Sequence, residues 1–271
     1  MSHAIIIPIY CENRNTINLC NELQNFGAEH IVVVNDGLNP KSEYFNELTS
    51  IGCHLVHLKN NNGKGASLKA GIKYAHDNLY NITGYITCDA DGQHTANDVM
   101  KISRMLDLRN GSLILGKRDY KKSKMPINIR IGNRLSSAYF KVITGKSCRD
   151  TQTGLRGIPA FLYDTVMKTK GSRFDFEMNF LTKCADMRVP FYFVNIIADC
   201  SNCSSNFRLI KDTYLIYRTP LRFATASIGC TIIDLVLFTI FAYILPSHMF
   251  FNIMLATLMA RVVSGGINFL I

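Results

Sequence analysis

The chain is 271 residues long, enough to bury a full core in one α/β domain and leave an appendage. Its net charge of +10 calls for an acidic partner, such as a phosphorylated ligand or an anionic membrane face. No arginine-rich tract or nucleic-acid motif accompanies that charge, so nucleic acid is not the expected partner, and nine scattered cysteines fit reduced thiols better than a disulfide framework.

The N-terminus runs from Ser2-His3-Ala4 directly into a strand-like segment, without a signal-peptide pattern. Strand-like runs follow at Ala4–Ile9, Ile31–Val34, His54–Leu58, Gly84–Cys88 and Ser112–Leu115. Helix-period stretches lie between them near Asn15–Phe26, Gly65–Asn78 and Ala96–Leu108. That alternation predicts a mostly parallel sheet covered on both faces, and the scarcity of polar residues in the strands agrees with burial on both sides. A further helix is expected over Phe176–Met187, then a strand over Phe191–Ala198 and a polar loop around Ser201–Asn206. The lone Cys200-Ser201-Asn202-Cys203 lacks a second pair or a nearby His and reads as structural rather than as a zinc site.

Residues 207–222 mix Phe207, Leu209, Ile210, Tyr214, Leu215 and Tyr217 with Arg208, Lys211, Arg218 and Arg222. That mixture suits a basic amphipathic helix in a membrane interface. Phe223–Leu245 is apolar throughout except for Asp234 and is long enough to span a bilayer with some tilt. Pro246-Ser247-His248 reads as a turn, and Met249–Ile271 as a second apolar run interrupted by Arg261, for which Asp234 is a candidate partner. Lys211, Arg218 and Arg222 favour a multi-pass membrane protein with residues 1–206 on the cytoplasmic side. The apolar run reaches the last residue, which suggests an incomplete membrane domain over 223–271.

The chemistry concentrates in Tyr85-Ile86-Thr87-Cys88-Asp89-Ala90-Asp91-Gly92-Gln93-His94. A buried strand ends there in two carboxylates and an amide, hard oxygen donors that suit Mg²⁺ or Mn²⁺ rather than zinc. Standing alone, such a pair reads as a solvated acidic turn. Here four more motifs accompany it: Ile7-Pro8-Ile9-Tyr10-Cys11-Glu12-Asn13, Val33-Val34-Asn35-Asp36-Gly37, Asn62-Gly63-Lys64-Gly65-Ala66 and Asp150-Thr151-Gln152-Thr153-Gly154-Leu155-Arg156-Gly157. The first two put Glu12 and Asp36 at strand ends, where a carboxylate can accept a ring N–H from uracil or guanine. The third opens a helix whose backbone N–H groups and lysine could approach a phosphate. The last reads as a loop over the site.

Together these motifs, over residues 4 to about 217, resemble family 2 glycosyltransferases of the GT-A fold. The likeness is nearest to the dolichol-phosphate mannosyltransferase and polyprenyl-phosphate glycosyltransferase branch. It implies an enzyme with an α/β GT-A catalytic domain over 1–206. It assigns the nucleotide base to Glu12 and Asp36, with Pro8, Tyr10 and Lys64 also on the donor side. It assigns nucleotide and metal contact to Asp89, and completion of the Mg²⁺ or Mn²⁺ site to Asp91 and Gln93. Arg118 and Arg130 match positions that grip the diphosphate or the acceptor phosphate, with Arg134 one turn beyond Arg130. Asp150, Gln152 and Glu177 match the acceptor side, and Ser205-Asn206-Phe207-Arg208 with Asp212 matches the link to the membrane anchor. Asn35 stands where many relatives carry a second acid, Gly92 replaces a bulkier residue, and His94 is a candidate partner for the acidic pair. Arg222–Phe238 and Asn268-Phe269-Leu270 resemble parts of a GtrA-like membrane domain.

The resemblance implies inverting transfer from a UDP- or GDP-linked sugar to a polyprenyl phosphate, and leaves room for a homo-oligomer. A phosphate acceptor is already ionised near neutral pH and needs no strong general base, whereas a sugar hydroxyl would call on Glu177 or Asp150. Transfer to a glycan hydroxyl is the first alternative, although a chain with no tryptophan lacks the Gln-x-x-Arg-Trp motif of processive relatives. A non-catalytic partner in translocation of lipid-linked sugars is the second, and the intact Asp89, Asp91 and Gln93 argue against it.

Overall fold

The computed structural model describes residues 2–118, 127–197, 209–244 and 250–270. The chain divides into two units, Met1–Phe207 and Arg208–Ile271.

In the first unit, β1 (Ser2–Ile9), β2 (His30–Asp36), β3 (His54–Leu58) and β4 (Ile82–Thr87) alternate with α1 (Arg14–Asn25), α2 (Glu43–Ser50) and α3 (Lys64–Asn78). Then come α4 (Ala96–Leu108), β5 (Leu113–Arg118), α5 (Ile127–Thr144), β6 (Arg156–Pro159), α6 (Tyr163–Lys168), α7 (Asp175–Asp186) and β7 (Phe191–Ile196). The seven strands form one sheet in the order β3-β2-β1-β4-β6-β5-β7. All neighbouring pairs are parallel except those of β6, which runs antiparallel between β4 and β5.

The expected mostly parallel α/β architecture is therefore present, and the physical reason is visible in β1. Ile5, Ile7 and Ile9 point into a core with Ile17 and Leu23 of α1, Phe45 of α2 and Ile102 of α4. Ala4 and Ile6 point the other way, against Leu68 and Ile72 of α3 and Phe176 and Phe180 of α7. Each such isoleucine contributes about 1.5–3 kcal/mol on burial, so a strand covered on both faces is apolar throughout rather than alternating. Helix starts are fixed locally. Asn13 caps α1 by accepting from Asn15 N, and Thr95 caps α4 by accepting from Asp98 N.

Three elements depart from the sequence expectation. The Asp150–Gly157 segment, expected as a loop, gives its last two residues to β6. The strand is four residues long and contains Gly157 and Pro159, so it carries no period of its own; its place is set by pairing with Thr87 and Leu115. In the second unit, α8 runs from Leu209 to Ile244 without a break, so the change in composition at Phe223 is not an element boundary. It packs on α9 (Phe250–Leu270), where Ser264 Oγ donates to Asp234 Oδ1 at 2.9 Å. Asp234 thus meets Ser264 rather than the Arg261 suggested by the sequence, and Arg261 is exposed. Among the described residues one stretch, Ser227–Ile244, is long and apolar enough to cross a membrane, with a shorter apolar stretch at Ile253–Gly266. The expected loop at Ser201–Asn206, Cys200 and Cys203, Ser205–Arg208 and the turn at Pro246–His248 lie outside the described residues.

Candidate active site at the carboxyl edge of the sheet

From β1 the chain winds one way to β2 and β3, while β4 pairs with its other side. The crevice beyond the carboxyl ends of β1 and β4 is thus a topological switch point, the place where open α/β sheets receive ligands. Tyr10 and Glu12 follow β1 and both are exposed there. Asp89 follows β4 by one residue beyond Cys88, whose N–H donates to Ile6 O at 3.0 Å and extends the pairing to the edge.

Asp89 is the centre of an ion-pair cluster. Lys64 Nζ, at the start of α3, lies 2.7 Å from Asp89 Oδ1 and 3.1 Å from Glu177 Oε1 in the first turn of α7. Burial works against the charge on Asp89, but the Lys64 ammonium overcomes it and holds the carboxyl well below its usual range. Lys64 is likewise disfavoured by burial, yet Asp89 and Glu177 together raise it above the usual lysine value. Asp91 behaves in the opposite way. Burial and the negative charge of Asp89 push its carboxyl up, although the Gln93 backbone and side-chain amides both donate to it.

Glycine is required at 154 because a Cβ there would collide with the Asp89 carboxylate. Thr87 Oγ1 donates to Gly154 O at 2.7 Å, which fastens this close approach to the end of β4. His94 is buried beside the pair with Nε2 3.6 Å from Asp89 Oδ2, and neither ring nitrogen has a hydrogen-bond partner. It therefore sits where the sequence suggested, facing the acidic pair.

Among the described residues no three His, Cys, Asp or Glu side chains are grouped to hold an ion by themselves. Asp89 and Asp91 nevertheless fit a hard divalent cation. They are oxygen donors, and the raised Asp91 carboxyl marks an uncompensated negative field that a cation would relieve. Gln93 is drawn into orienting Asp91 rather than standing apart as a ligand.

Other expected site residues are engaged elsewhere. Asp36 is 5% exposed, and its two oxygens accept from Asn62 N (2.8 Å) and Gly63 N (2.9 Å). Ala66 N donates to Ser172 O. The N–H groups expected to meet a phosphate at this turn are thus claimed by protein, and Asp36 fastens the turn to the end of β2. Asn35 uses its amide to accept from Leu38 N and to donate to Leu38 O, with its Nδ2 2.9 Å from His57 Nδ1. An aspartate could not donate, which accounts for the amide in place of a second acid.

Arg118, the last residue of β5, forms a bidentate pair with Asp150, both bonds at 2.7 Å, and Asp150 has no exposed surface. The two side chains expected to face diphosphate and acceptor face each other instead. Arg130 and Arg134 are both exposed on α5, so neither turns inward. Gln152 is half-buried near Gly132 of α5, and Pro8 lies within β1, paired with Val34. Arg156 was not singled out by sequence reasoning, yet it is buried and donates to Thr151 O, Thr153 O and Glu177 O. It ties the acceptor-side loop to α7, and its only sequence signal was its place beside Gly154.

The fold is that of the GT-A glycosyltransferases. The described structure is similar to glucosyl-3-phosphoglycerate synthase from Mycobacterium tuberculosis in complex with UDP, with a TM-score of 0.62, 12% identity, and 82% and 79% of the two chains covered. The same protein with Mn²⁺, UDP-glucose and phosphoglyceric acid gives the same TM-score, identity and coverage.

In sequence the chain belongs to glycosyl transferase family 2, whose model matches residues 4–164, and it is a glycosyltransferase. Among curated relatives, an uncharacterized protein of Methanocaldococcus jannaschii is 32% identical over 188 residues, 65% of this chain and 73% of that one. The UDP-N-acetylglucosamine–dolichyl-phosphate N-acetylglucosaminyltransferase of Methanococcus voltae is 29% identical over 172 residues, 56% of this chain and 67% of that one.

Proposed function

We propose that the protein is a membrane-bound inverting glycosyltransferase that moves a sugar from a UDP- or GDP-linked donor to a polyprenyl phosphate. The observation that carries this reading is the state of the acceptor-side carboxylates. Glu177 is ion-paired with Lys64 and Asp150 is locked to Arg118. A carboxylate held by a cation is a poor general base, so the arrangement favours a nucleophile that arrives already ionised, as a phosphate monoester does. The resemblance to the dolichyl-phosphate relative of Methanococcus voltae supports the same acceptor class. Ser227–Ile244 supports anchoring beside a bilayer, where a long lipid phosphate is available. The basic sequence before it favours the cytoplasmic side.

In this mechanism the exposed Glu12 and Tyr10 at the end of β1 border the base pocket, and Asp36 keeps the Asn62–Gly63 turn in place beside it. Lys64 holds Asp89 ionised, and Gln93 orients Asp91. Asp89 and Asp91 would hold Mg²⁺ or Mn²⁺, which when bound neutralises charge on the departing nucleotide diphosphate. The Lys64 ammonium adds fixed positive charge at the same edge. Arg118 and Asp150 act on shape, holding the end of β5 against the acceptor loop.

The test is to incubate membranes carrying the full chain with a panel of labelled nucleotide sugars and extract with organic solvent. Label should enter the organic phase as an acid-labile lipid phosphate sugar. Label confined to a water-soluble glycan would replace this reading with a hydroxyl acceptor.

A further inference from the structure

Helix α5 is amphipathic with the apolar side turned outward. Its inner face is largely polar: Asn133 Nδ2 donates to Arg149 O at 3.2 Å, and Ser136 Oγ accepts from Thr151 Oγ1 at 2.9 Å, with buried Phe140 beside them. Its outer face carries Ile127, Ile131, Leu135 and Val142, and their exposures are 73%, 52%, 60% and 84%. The i, i+4 spacing of the first three lines them up in one stripe, and Val142, seven residues beyond Leu135, continues it. Arg130, Arg134 and Lys141, at spacings of four and seven, form a second exposed stripe along one flank of the first. None of the eighteen residues of α5 is acidic.

Exposed apolar residues scattered singly need no explanation, but a continuous stripe beside a purely basic one does. The charge complements an anionic surface, and the apolar stripe is suited to entering the boundary between headgroups and acyl chains. A soluble acidic protein partner would match the basic edge but leaves the parallel aliphatic stripe without the aromatic or polar variety of a protein interface.

We propose that the outer face of α5 lies in the surface of an anionic bilayer, with Ile131 and Leu135 in the acyl boundary and Arg130, Arg134 and Lys141 at the headgroups. This rests on the membrane-bound reading above and adds the face by which the catalytic unit meets the membrane. It gives the exposed arginines a role, and it carries a consequence for the site. The inner face of α5 is stitched to the Arg149–Thr151 loop, whose Asp150 clamps Arg118 at the sheet edge. A bilayer under α5 therefore lies one helix away from the acceptor side of the crevice.

The experiment places a photo-crosslinking amino acid at position 135 of the full chain, reconstituted into vesicles of phosphatidylcholine with or without phosphatidylglycerol. The same probe at position 142 repeats the test at a second exposed site. The control position is 80, where Tyr80 is 88% exposed at the amino edge of the sheet. Crosslinking to lipid from 135 and 142 should exceed that from 80 at least several-fold, and should fall when phosphatidylglycerol is omitted or salt is raised. Crosslinks mainly to protein, whether a second copy or the chain's own C-terminal helices, would overturn the proposal. Lipid yields equal to those at position 80, or indifferent to lipid charge, would do the same. The crosslink needs no substrate, so it can fail while sugar transfer to lipid persists, and the two readings fall separately.

Discussion

Two ion-pair clusters stand at the same edge of the sheet and differ in what they leave open. At the ends of β5 and the acceptor loop, Arg118 and Asp150 close on each other completely, with two bonds of equal length and no exposed carboxylate surface. At the end of β4, Lys64 holds Asp89 and Glu177, yet the Asp89 side chain keeps a fifth of its surface exposed and Asp91 remains under-compensated. A fully matched pair fixes geometry, whereas a cluster with one carboxylate in excess is prepared to receive a cation. Residue type alone does not separate these roles; partner count and exposure do.

Breaking the closed pair should have the largest effect. Arg118→Met leaves Asp150 buried and unpaired, and should cost about 3–5 kcal/mol of stability, read as a lower thermal midpoint in detergent. Removing both charges, in R118M combined with D150L, should recover much of that loss. A double variant as unstable as the single would mean that Arg118 acts through other contacts. At the open cluster, Asp91→Ala should lower turnover on the order of 10²–10³-fold. Its thermal midpoint should stay within roughly 0.5 kcal/mol of the parent's stability, since the side chain lies at the sheet edge. Full activity in that variant, or in excess chelator, would remove the metal role.

Smaller effects sharpen the contrast. Gly154→Ala pushes a methyl group into the Asp89 carboxylate and should lower turnover about 10–100-fold, the range for groups that position a metal ligand. Unchanged kinetics would show that Asp89 can move aside freely. Glu177→Gln removes one of two carboxylates from Lys64 and should reduce lipid transfer less than about tenfold, because Asp89 still holds the ammonium and the acceptor supplies its own charge. A loss as large as that of Asp91→Ala would make Glu177 a base.

Much of this was legible before the coordinates. The strands from β1 to β5 and helices α1, α3 and α4 follow from apolar runs and helical periods, and Ala96–Leu108 coincides with its expected bounds. The carboxylates after β4 stood out because a buried strand ended directly in them. The pairings were not legible. Arg118 and Asp150 lie 32 residues apart, and Lys64 meets Glu177 across most of the catalytic unit, so no local pattern announces either contact. Sequence reasoning therefore aimed Arg118, Asp150 and Lys64 at ligands when each had a protein partner. The short β6 escaped for a related reason, since its position depends on neighbours rather than on period. The single long α8 escaped because a change from mixed to apolar composition does not end a helix.

The central claim is that sugar passes to an ionised lipid phosphate without a carboxylate base. The most direct measurement is the partition of label after incubating membranes of the parent chain and of Glu177→Gln with radiolabelled nucleotide sugar. The account predicts an acid-labile, organic-soluble product in both, reduced but persistent in the variant. Label found only in a water-soluble glycan, and abolished by Glu177→Gln, would contradict it.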